Sequence, residues 1–272
     1  MARRSYRVNF TGGSGFQLAG IVDKDDSVDA APVAVFSHCF TCNKDLKAIV
    51  RISRGLAEAG LTVLRFDMTG LGGSEGDFSE TNFTSNVADL HAAIEFASDE
   101  LGPVQSLIGH SFGGAASLHV ASTASKTPSL GRLSSLVTLA APSDTRHLGE
   151  LLIRMSPEIE SVGEGNVTIG GRTWLIKRQM VEDFFSHDLT AAIPKIETAA
   201  LILHSPIDET VHYDHAVRIQ TLLNTRADGP ILGSLVSLID ADHLLARNSD
   251  DLLLVTDLLS AFIRRRSVVG GR

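Results

Sequence analysis

The feature that most constrains the fold of this chain is a regular alternation of short apolar runs with longer amphipathic ones. Six apolar runs rich in β-branched residues cover 33–38, 61–66, 104–109, 136–141, 200–205 and 234–239. Their continuous hydrophobicity predicts strands buried on both faces of a sheet. Helical periodicity between and after them covers 45–59, 85–101, 112–124, 212–225 and 251–265. This order predicts an α/β fold with a mostly parallel, doubly wound sheet.

The N-terminal segment departs from this alternation. Residues 6–22 contain two alternating runs around Gly12, Gly13 and Gly15. Alternation with period two on either side of a glycine turn predicts an antiparallel hairpin, which we expect on the edge of the sheet.

A second departure lies between residues 142 and 199, where the strand–helix order lapses. This stretch predicts a hairpin that turns at Gly170 and Gly171 and a helix over 177–186. We expect it to be a small cap inserted over the carboxyl edge of the sheet. No repeat or linker divides residues 1–272, so we expect a single domain.

Composition argues against several classes of function. The chain carries 24 Lys and Arg against 32 Asp and Glu, a formal net charge of −8, whereas nucleic-acid binders concentrate basic residues on one face. The basic run 264–266 closes the last predicted helix, where positive charge suits the helix dipole. No window approaches the roughly 18 apolar residues of a membrane span, and the first ten residues lack the apolar run of a secretory signal. We expect a cytoplasmic protein that binds neither nucleic acid nor membrane.

The strongest chemical motif is G-x-S-x-G at residues 109–113, placed where a predicted strand ends and a helix begins. A chain that turns from strand to helix within one residue needs small neighbours, and Gly109 and Gly113 supply them. The turn would expose the Ser111 hydroxyl and leave the Phe112 amide without a helical partner. Ser111 is therefore the candidate nucleophile, against the alternative of a glycine-rich loop without chemistry.

A serine nucleophile needs a histidine as base and a carboxylate that orients the histidine. His243 follows the last predicted strand, and Asp208 follows the strand before it. In a parallel sheet both loops lie at the carboxyl edge, which favours these two residues over a loop histidine and a turn carboxylate without function. Asp144, which follows the strand over 136–141, is a rival acid.

A second oxyanion donor is expected from the loop after the strand over 33–38. We name the Phe40 amide, with the Thr41 amide as the alternative, to act together with the Phe112 amide. In this loop His38 is expected to brace the backbone. Cys39 and Cys42 form a C-x-x-C, but the thioredoxin-like setting that would indicate dithiol chemistry is missing. We expect two packed thiols, with reversible oxidation beside the site as the alternative.

Two other patterns carry no cofactor. The glycines at 70 and 72 follow a strand, but Glu75 stands where a dinucleotide-binding motif needs its third glycine, and no Walker lysine is present. His212 and His215 lie three residues apart without a suitably spaced third ligand. The sequence predicts no cofactor and no metal.

Several large side chains of the expected cap could line a substrate pocket. We name Met155, Trp174 and Met180, with Phe184 and Phe185 as further candidates. Each could equally serve only to pack the cap on the sheet.

Five segments together resemble the α/β hydrolase superfamily, in particular the bacterial hydrolase domain often fused to an OsmC-like domain. They are HCFTCNKD (38–45), RFDMTGLGGSEGDF (65–78), TNFTSNVADL (81–90), GHSFGGAAS (109–117) and DADHLL (240–245). The resemblance runs from about 36 to 265. It implies an eight-stranded, mostly parallel sheet and an acyl-hydrolase mechanism with Ser111, Asp208 and His243 in the catalytic roles. No OsmC-like segment follows before Arg272, so the peroxide-reducing activity of that partner is not expected.

Together these observations predict a serine hydrolase that cleaves carboxylic esters of small or medium acyl groups. Two alternatives remain at this point. The same three residues could serve a peptidase or thioesterase, or the chain could be a hydrolase-fold binding protein in which they are idle.

Overall fold

The computed structural model describes residues 3–225 and 229–267. Eight strands form one sheet in the order β1-β2-β4-β3-β5-β6-β9-β10. Their bounds are β1 Arg3–Thr11, β2 Gln17–Asp25, β3 Val33–Ser37, β4 Thr62–Phe66, β5 Val104–His110, β6 Ser135–Leu139, β9 Ala199–His204 and β10 Gly233–Ser237. β1 pairs antiparallel with β2, and β2 pairs antiparallel with β4. From β4 to β10 every neighbouring pair is parallel, which confirms the predicted mostly parallel sheet with an antiparallel N-terminal hairpin.

Helices cover both faces of the sheet. They are α1 Lys47–Glu58, α2 Phe83–Glu100, α3 Phe112–Ala121, α8 Asp214–Leu223 and α9 Ser249–Arg266. The buried side chains of α1 and α9 belong to one apolar cluster, and those of α2, α3 and α8 belong to the other.

The core strands are largely apolar because they contact both clusters. In β3, Val33 and Val35 pack into one cluster, whereas Ala34 and Phe36 pack into the other. Successive side chains of a strand point to opposite faces, so a strand covered on both faces is expected to be apolar over most of its length.

Further elements lie between β6 and β9, in the segment expected to form a cap. They are α4 Arg146–Met155, α5 Glu158–Ser161, β7 Glu164–Ile169, β8 Arg172–Lys177, α6 Arg178–Ser186 and α7 Leu189–Ala192. β7 and β8 pair antiparallel around Gly170 and Gly171 and form a two-stranded sheet of their own.

Helix α4 was not predicted. Gly149 lies in its middle and lowers its intrinsic helix propensity. The structure gives the reason for the glycine, because a Cβ at Gly149 would collide with the ring of Phe185 on α6. Close packing between two helices therefore explains the weak helical signal.

No helix in residues 3–225 or 229–267 combines the length and the hydrophobicity that crossing a membrane requires.

Candidate active site

Ser111 occupies the turn between β5 and α3, with φ of 54° and ψ of −119°. Positive φ is strained for a residue with a side chain, and it persists only where the surroundings enforce it. A Cβ at Gly109 would collide with the Gly113 carbonyl, and one at Gly113 would collide with the backbone of Ser37. Both glycines are therefore required for the turn that presents Ser111 at the carboxyl edge of the sheet.

The structure brings Ser111, His243 and Asp208 together. His243 Nε2 lies 3.0 Å from Ser111 Oγ, and His243 Nδ1 lies 2.8 Å from Asp208 Oδ2. The three residues come from the ends of β5, β10 and β9, whose carboxyl ends share one edge of the parallel sheet. The order of the strands in the sheet therefore brings together three residues that are far apart in sequence.

Asp208 is held as an ionised acceptor. Its Oδ1 accepts the backbone N–H groups of Thr210 and Val211 at 2.8 and 2.9 Å. Burial acts to raise the pKa of the Asp208 carboxyl, but the hydrogen bond from His243 and these amides outweigh it and lower the pKa below its ordinary value. A carboxylate can only accept, so His243 Nδ1 carries the proton and Nε2 is left free to accept from Ser111.

The rival acid Asp144 lies elsewhere. Its Oδ1 accepts the His147 backbone N–H at 2.9 Å, and its Oδ2 lies 3.6 Å from Arg218 Nη1. In the described part of the chain it makes no contact with His243.

Two backbone amides next to Ser111 are free to donate. In residues 3–225 and 229–267, neither the Phe40 N–H nor the Phe112 N–H has a hydrogen-bond partner. The Phe40 and Phe112 rings pack edge to face with centroids 5.5 Å apart. The loop after β3 therefore lies directly against the start of α3. The Thr41 N–H also has no hydrogen-bond partner in the described residues, so the Phe40 and Thr41 amides both remain candidates for the second oxyanion donor.

Cys39 and Cys42 form a disulfide within this loop, with Cα atoms 5.3 Å apart. The expectation of two packed thiols is therefore wrong. A turn closes the same segment, because the Cys42 N–H donates to the Cys39 carbonyl at 3.1 Å and Thr41 has a φ of 60°. C-x-x-C spacing alone allowed either state, since it does not report the separation of the two Cα atoms.

A buried ion network that the sequence did not indicate supports the end of this loop. Arg65 Nε donates to Asp23 Oδ2 at 2.8 Å, and its Nη1 donates to the Lys44 carbonyl at 2.8 Å. Lys44 in turn donates from Nζ to Asp67 Oδ2 at 2.7 Å and from its backbone N–H to Asp67 Oδ1 at 2.6 Å. The loop is thereby tied to β2, β4 and the turn after β4. In the sequence, the signal for this network is Arg65, a charged residue within an otherwise apolar run.

His38 braces the start of the same loop. Its Nδ1 donates to the Cys39 carbonyl at 2.8 Å, and its Nε2 accepts the Met68 backbone N–H at 3.1 Å. Burial lowers its pKa below the ordinary value, so the neutral ring can fill both roles.

A cavity of about 760 Å³ opens in front of Ser111. Phe40, Phe112, Leu148, Leu151, Ile169, Trp174 and Val211 are among its apolar lining residues, and Lys47, Arg172 and Asp45 are its charged ones. Of the three named pocket residues, only Trp174 lines this cavity.

The prediction that Met155 and Met180 line the substrate pocket is wrong. Met155 lines a different cavity beside β7, and Met180 is fully buried in the apolar core. Phe184 packs behind the site, with its ring 5.6 Å from that of Phe112, whereas Phe185 contacts Gly149 and Arg146. Position within the cap was the only sequence signal, and it does not tell which face of a helix points inward.

The glycine-rich turn after β4 is closed by hydrogen bonds to Asp67. Gly73 donates its N–H to Asp67 Oδ2 at 2.8 Å, and the Ser74 hydroxyl donates to the Asp67 carbonyl at 2.6 Å. Within the described residues, no three His, Cys, Asp or Glu side chains are grouped so that they could hold a metal.

The chain is similar to known proteins of one family. A family model described as the alpha/beta hydrolase family matches residues 34–265. The esterase domain of a Rhodothermus marinus protein is 36% identical, with 96% of this chain and 98% of that one covered and a TM-score of 0.71. Est1E from Butyrivibrio proteoclasticus, solved with ferulic acid, is 22% identical over 94% and 98% of the two chains, with a TM-score of 0.73.

A putative hydrolase from Agrobacterium vitis S4 is 20% identical over 97% and 100% of the two chains, with a TM-score of 0.77. The last two likenesses concern the fold alone. No curated protein matches the sequence.

Proposed function

Because this chain belongs to the alpha/beta hydrolase family, we propose that it is a serine esterase that cleaves carboxylic esters through an acyl-enzyme on Ser111. The observation that carries the proposal is the continuous hydrogen-bonded chain from Asp208 through His243 to Ser111, at 2.8 and 3.0 Å. The His243–Ser111 distance lies within the range that proton transfer from a nucleophile to its base requires, and the Asp208–His243 distance is that of a hydrogen bond that orients the base.

In the first half of the reaction, Ser111 Oγ attacks the ester carbonyl carbon while His243 Nε2 takes the hydroxyl proton. Asp208 keeps the imidazole in the required tautomer and stabilises the imidazolium that forms. The carbonyl oxygen becomes negative as the tetrahedral intermediate forms, and the Phe40 and Phe112 amides donate to it. One such donor is typically worth about 3 kcal/mol of transition-state stabilisation.

The intermediate then collapses: the bond between the carbonyl carbon and the alcohol oxygen breaks, His243 gives its proton to the leaving alcohol, and the acyl group stays on Ser111. In the second half, a water attacks the acyl carbon while His243 takes its proton, and His243 returns that proton to Ser111 Oγ as the acyl–serine bond breaks and the acid leaves. No cofactor or metal enters this sequence, and the cavity in front of Ser111 offers room for a small or medium acyl group.

The relatives support the choice of substrate bond. The Rhodothermus marinus domain is named an esterase. At 36% identity over nearly the whole chain, it is more similar in sequence to this chain than the other two structures described above. A peptidase or thioesterase working on the same three residues is the alternative, and an idle binding protein is the alternative from another class.

The test is hydrolysis of p-nitrophenyl acetate by purified wild type and by Ser111→Ala. The substitution removes the nucleophile without adding bulk, so kcat should fall by several orders of magnitude. The control is Ser122→Ala, which removes a hydroxyl that donates to the His119 carbonyl at the end of α3. Equal rates for wild type and Ser111→Ala would overturn the proposal.

A further inference from the structure

The cavity in front of Ser111 carries a charge pattern that ester hydrolysis alone does not require. Two cations line it, Lys47 at the start of α1 and Arg172 on β8, on an otherwise largely apolar wall. In the described part of the chain neither forms an ion pair with a carboxylate. This is notable in a protein with a formal net charge of −8.

Arg172 is held in place by an aromatic ring. Its guanidinium lies over the ring of Trp174, 4.4 Å from the centroid, and Trp174 packs in turn against Phe78 with centroids 4.8 Å apart. Trp174 is 8% exposed and lines the cavity beside Arg172. Stacking on a buried ring restricts the guanidinium while leaving its N–H donors at the ring edge free for an anion.

The one acidic side chain in the lining does not neutralise these cations. Asp45 accepts from Arg65 Nη1 at 3.0 Å and lies 3.4 Å from Lys44 Nζ. The same two cations also face the carboxylates of Asp67 and Asp23, so this network of two cations and three carboxylates keeps one negative charge. Set against the two cations of the cavity lining, one positive charge remains in excess. The cavity wall is left with a net attraction for negative charge.

We propose that Arg172, assisted by Lys47, selects esters that carry a carboxylate at the end of the group bound in this cavity. The apolar wall formed by Leu148, Leu151 and Ile169 would hold the intervening carbon chain, and the guanidinium would meet the anion. This inference rests on the proposed function and names the substrate class for the same site.

The test compares two esters with acyl chains of equal length, p-nitrophenyl hydrogen adipate and p-nitrophenyl hexanoate. Wild type should show the higher kcat/KM for the anionic ester. Arg172→Gln should lower the ratio of the two kcat/KM values about fivefold, the scale of a partly exposed charge-assisted hydrogen bond. Lys47→Gln should lower the ratio less, and Arg172→Lys should retain part of it.

Matched controls remove a positive charge elsewhere, one in the inserted segment and one on α1. Arg154→Gln lies on α4 of the inserted segment, and Arg54→Gln lies on α1, and neither residue lines the cavity. Both should leave the ratio unchanged. Added salt should lower the ratio in wild type and have a smaller effect in Arg172→Gln, because screening then acts only on the remaining Lys47 contact.

A second pair of esters, 4-carboxyphenyl hexanoate and phenyl hexanoate, carries the anion on the alcohol side. A preference that depends on Arg172 in either pair supports the inference and tells which side of the ester enters the cavity. Hydrolysis of the neutral esters with ratios that Arg172→Gln does not change in either pair, or that Arg154→Gln changes equally, overturns this inference alone. If the folded wild type hydrolyses no ester in a Ser111-dependent way, the proposed function falls and the inference falls with it.

Discussion

His110 donates a hydrogen bond from Nε2 to the backbone carbonyl of His243, across 2.8 Å. The residue that precedes the proposed nucleophile thus holds the residue proposed as its base, and their rings lie 5.3 Å apart. A carbonyl can only accept, so His110 Nε2 carries the proton. Burial, followed by the neighbouring His243, lowers the pKa of His110 to about 3, which keeps this ring neutral and its hydrogen bond intact at neutral pH.

This contact predicts that His110 positions His243. His110→Leu removes the donor and frees the loop after β10, so kcat for p-nitrophenyl acetate should fall roughly ten- to a hundredfold with KM little changed, because small displacements of reacting groups are costly. His110→Gln places an amide N–H2 near the position of Nε2 and should recover most of the loss. Equal activity of the Leu and Gln variants would show that the hydrogen bond does not matter for catalysis.

The same histidine predicts a pH dependence of stability. Its folded pKa lies below its unfolded value of 6.5, so above 6.5 both states are neutral and it contributes nothing. As the pH falls from 6.5 towards about 3, the unfolded state binds a proton that the folded state does not, and the free energy of unfolding should decrease by roughly 1 kcal/mol per pH unit from this residue.

Urea unfolding of wild type and His110→Gln between pH 7 and pH 5 measures this difference. The slope against pH should be shallower by about one proton in the variant. Identical slopes would mean that the ring is protonated in the folded state over this range.

Replacement of Asp208 should have a large effect on kcat. Asp208→Asn keeps the shape but can donate to His243 Nδ1, which favours the tautomer with the proton on the wrong nitrogen. We expect kcat to fall roughly a thousandfold to ten-thousandfold with KM little changed. Asp144→Asn is the matched control, because Asp144 follows β6 at the same sheet edge without contacting His243, and it should stay within a few-fold of wild type. The reverse order of the two effects would make Asp144 the acid.

The disulfide predicts a dependence of activity on redox state. Cys39 and Cys42 flank the backbone of Phe40 and Thr41, so removing the cross-link should loosen the proposed oxyanion donor. Cys39→Ala/Cys42→Ala should lower kcat about tenfold, less than the full value of a donor because the loop is also held by Lys44 and His38. Dithiothreitol should lower the activity of wild type similarly and leave the double variant unaffected. Loss of activity on reduction in both proteins would point to an effect elsewhere.

The fold was predictable from sequence because strands buried on both faces are largely apolar and stand out as short, nearly continuous hydrophobic runs. All six predicted core strands are present, each shifted by at most two residues. Helix ends were less well predicted: the run over 112–124 gives a helix that ends at Ala121, because turns of 3₁₀ type follow. Local apolar pattern does not report where a turn takes over.

The candidate site also has features that the sequence could predict and features that it could not. Ser111, Asp208 and His243 each follow a strand, so topology brings them together once the strands are known. The Arg65 network and the His110 contact depend on side-chain separations of a few ångströms between residues far apart in sequence. The disulfide joins two near neighbours, but their spacing does not report whether the two sulfur atoms are bonded. Met155 and Met180 were named from their place in the inserted segment, and the helix faces that decide their position were not legible without packing.

We infer that Ser111 is a nucleophile activated by His243. Labelling with a fluorophosphonate tests this directly. The probe reacts covalently with activated serines, and peptide mapping by mass spectrometry locates the adduct. We expect one adduct per chain, on the peptide that contains Ser111, formed in wild type and greatly slowed in His243→Ala. A folded wild-type protein that forms no adduct, or an adduct on Ser111 that forms equally fast without His243, would contradict it.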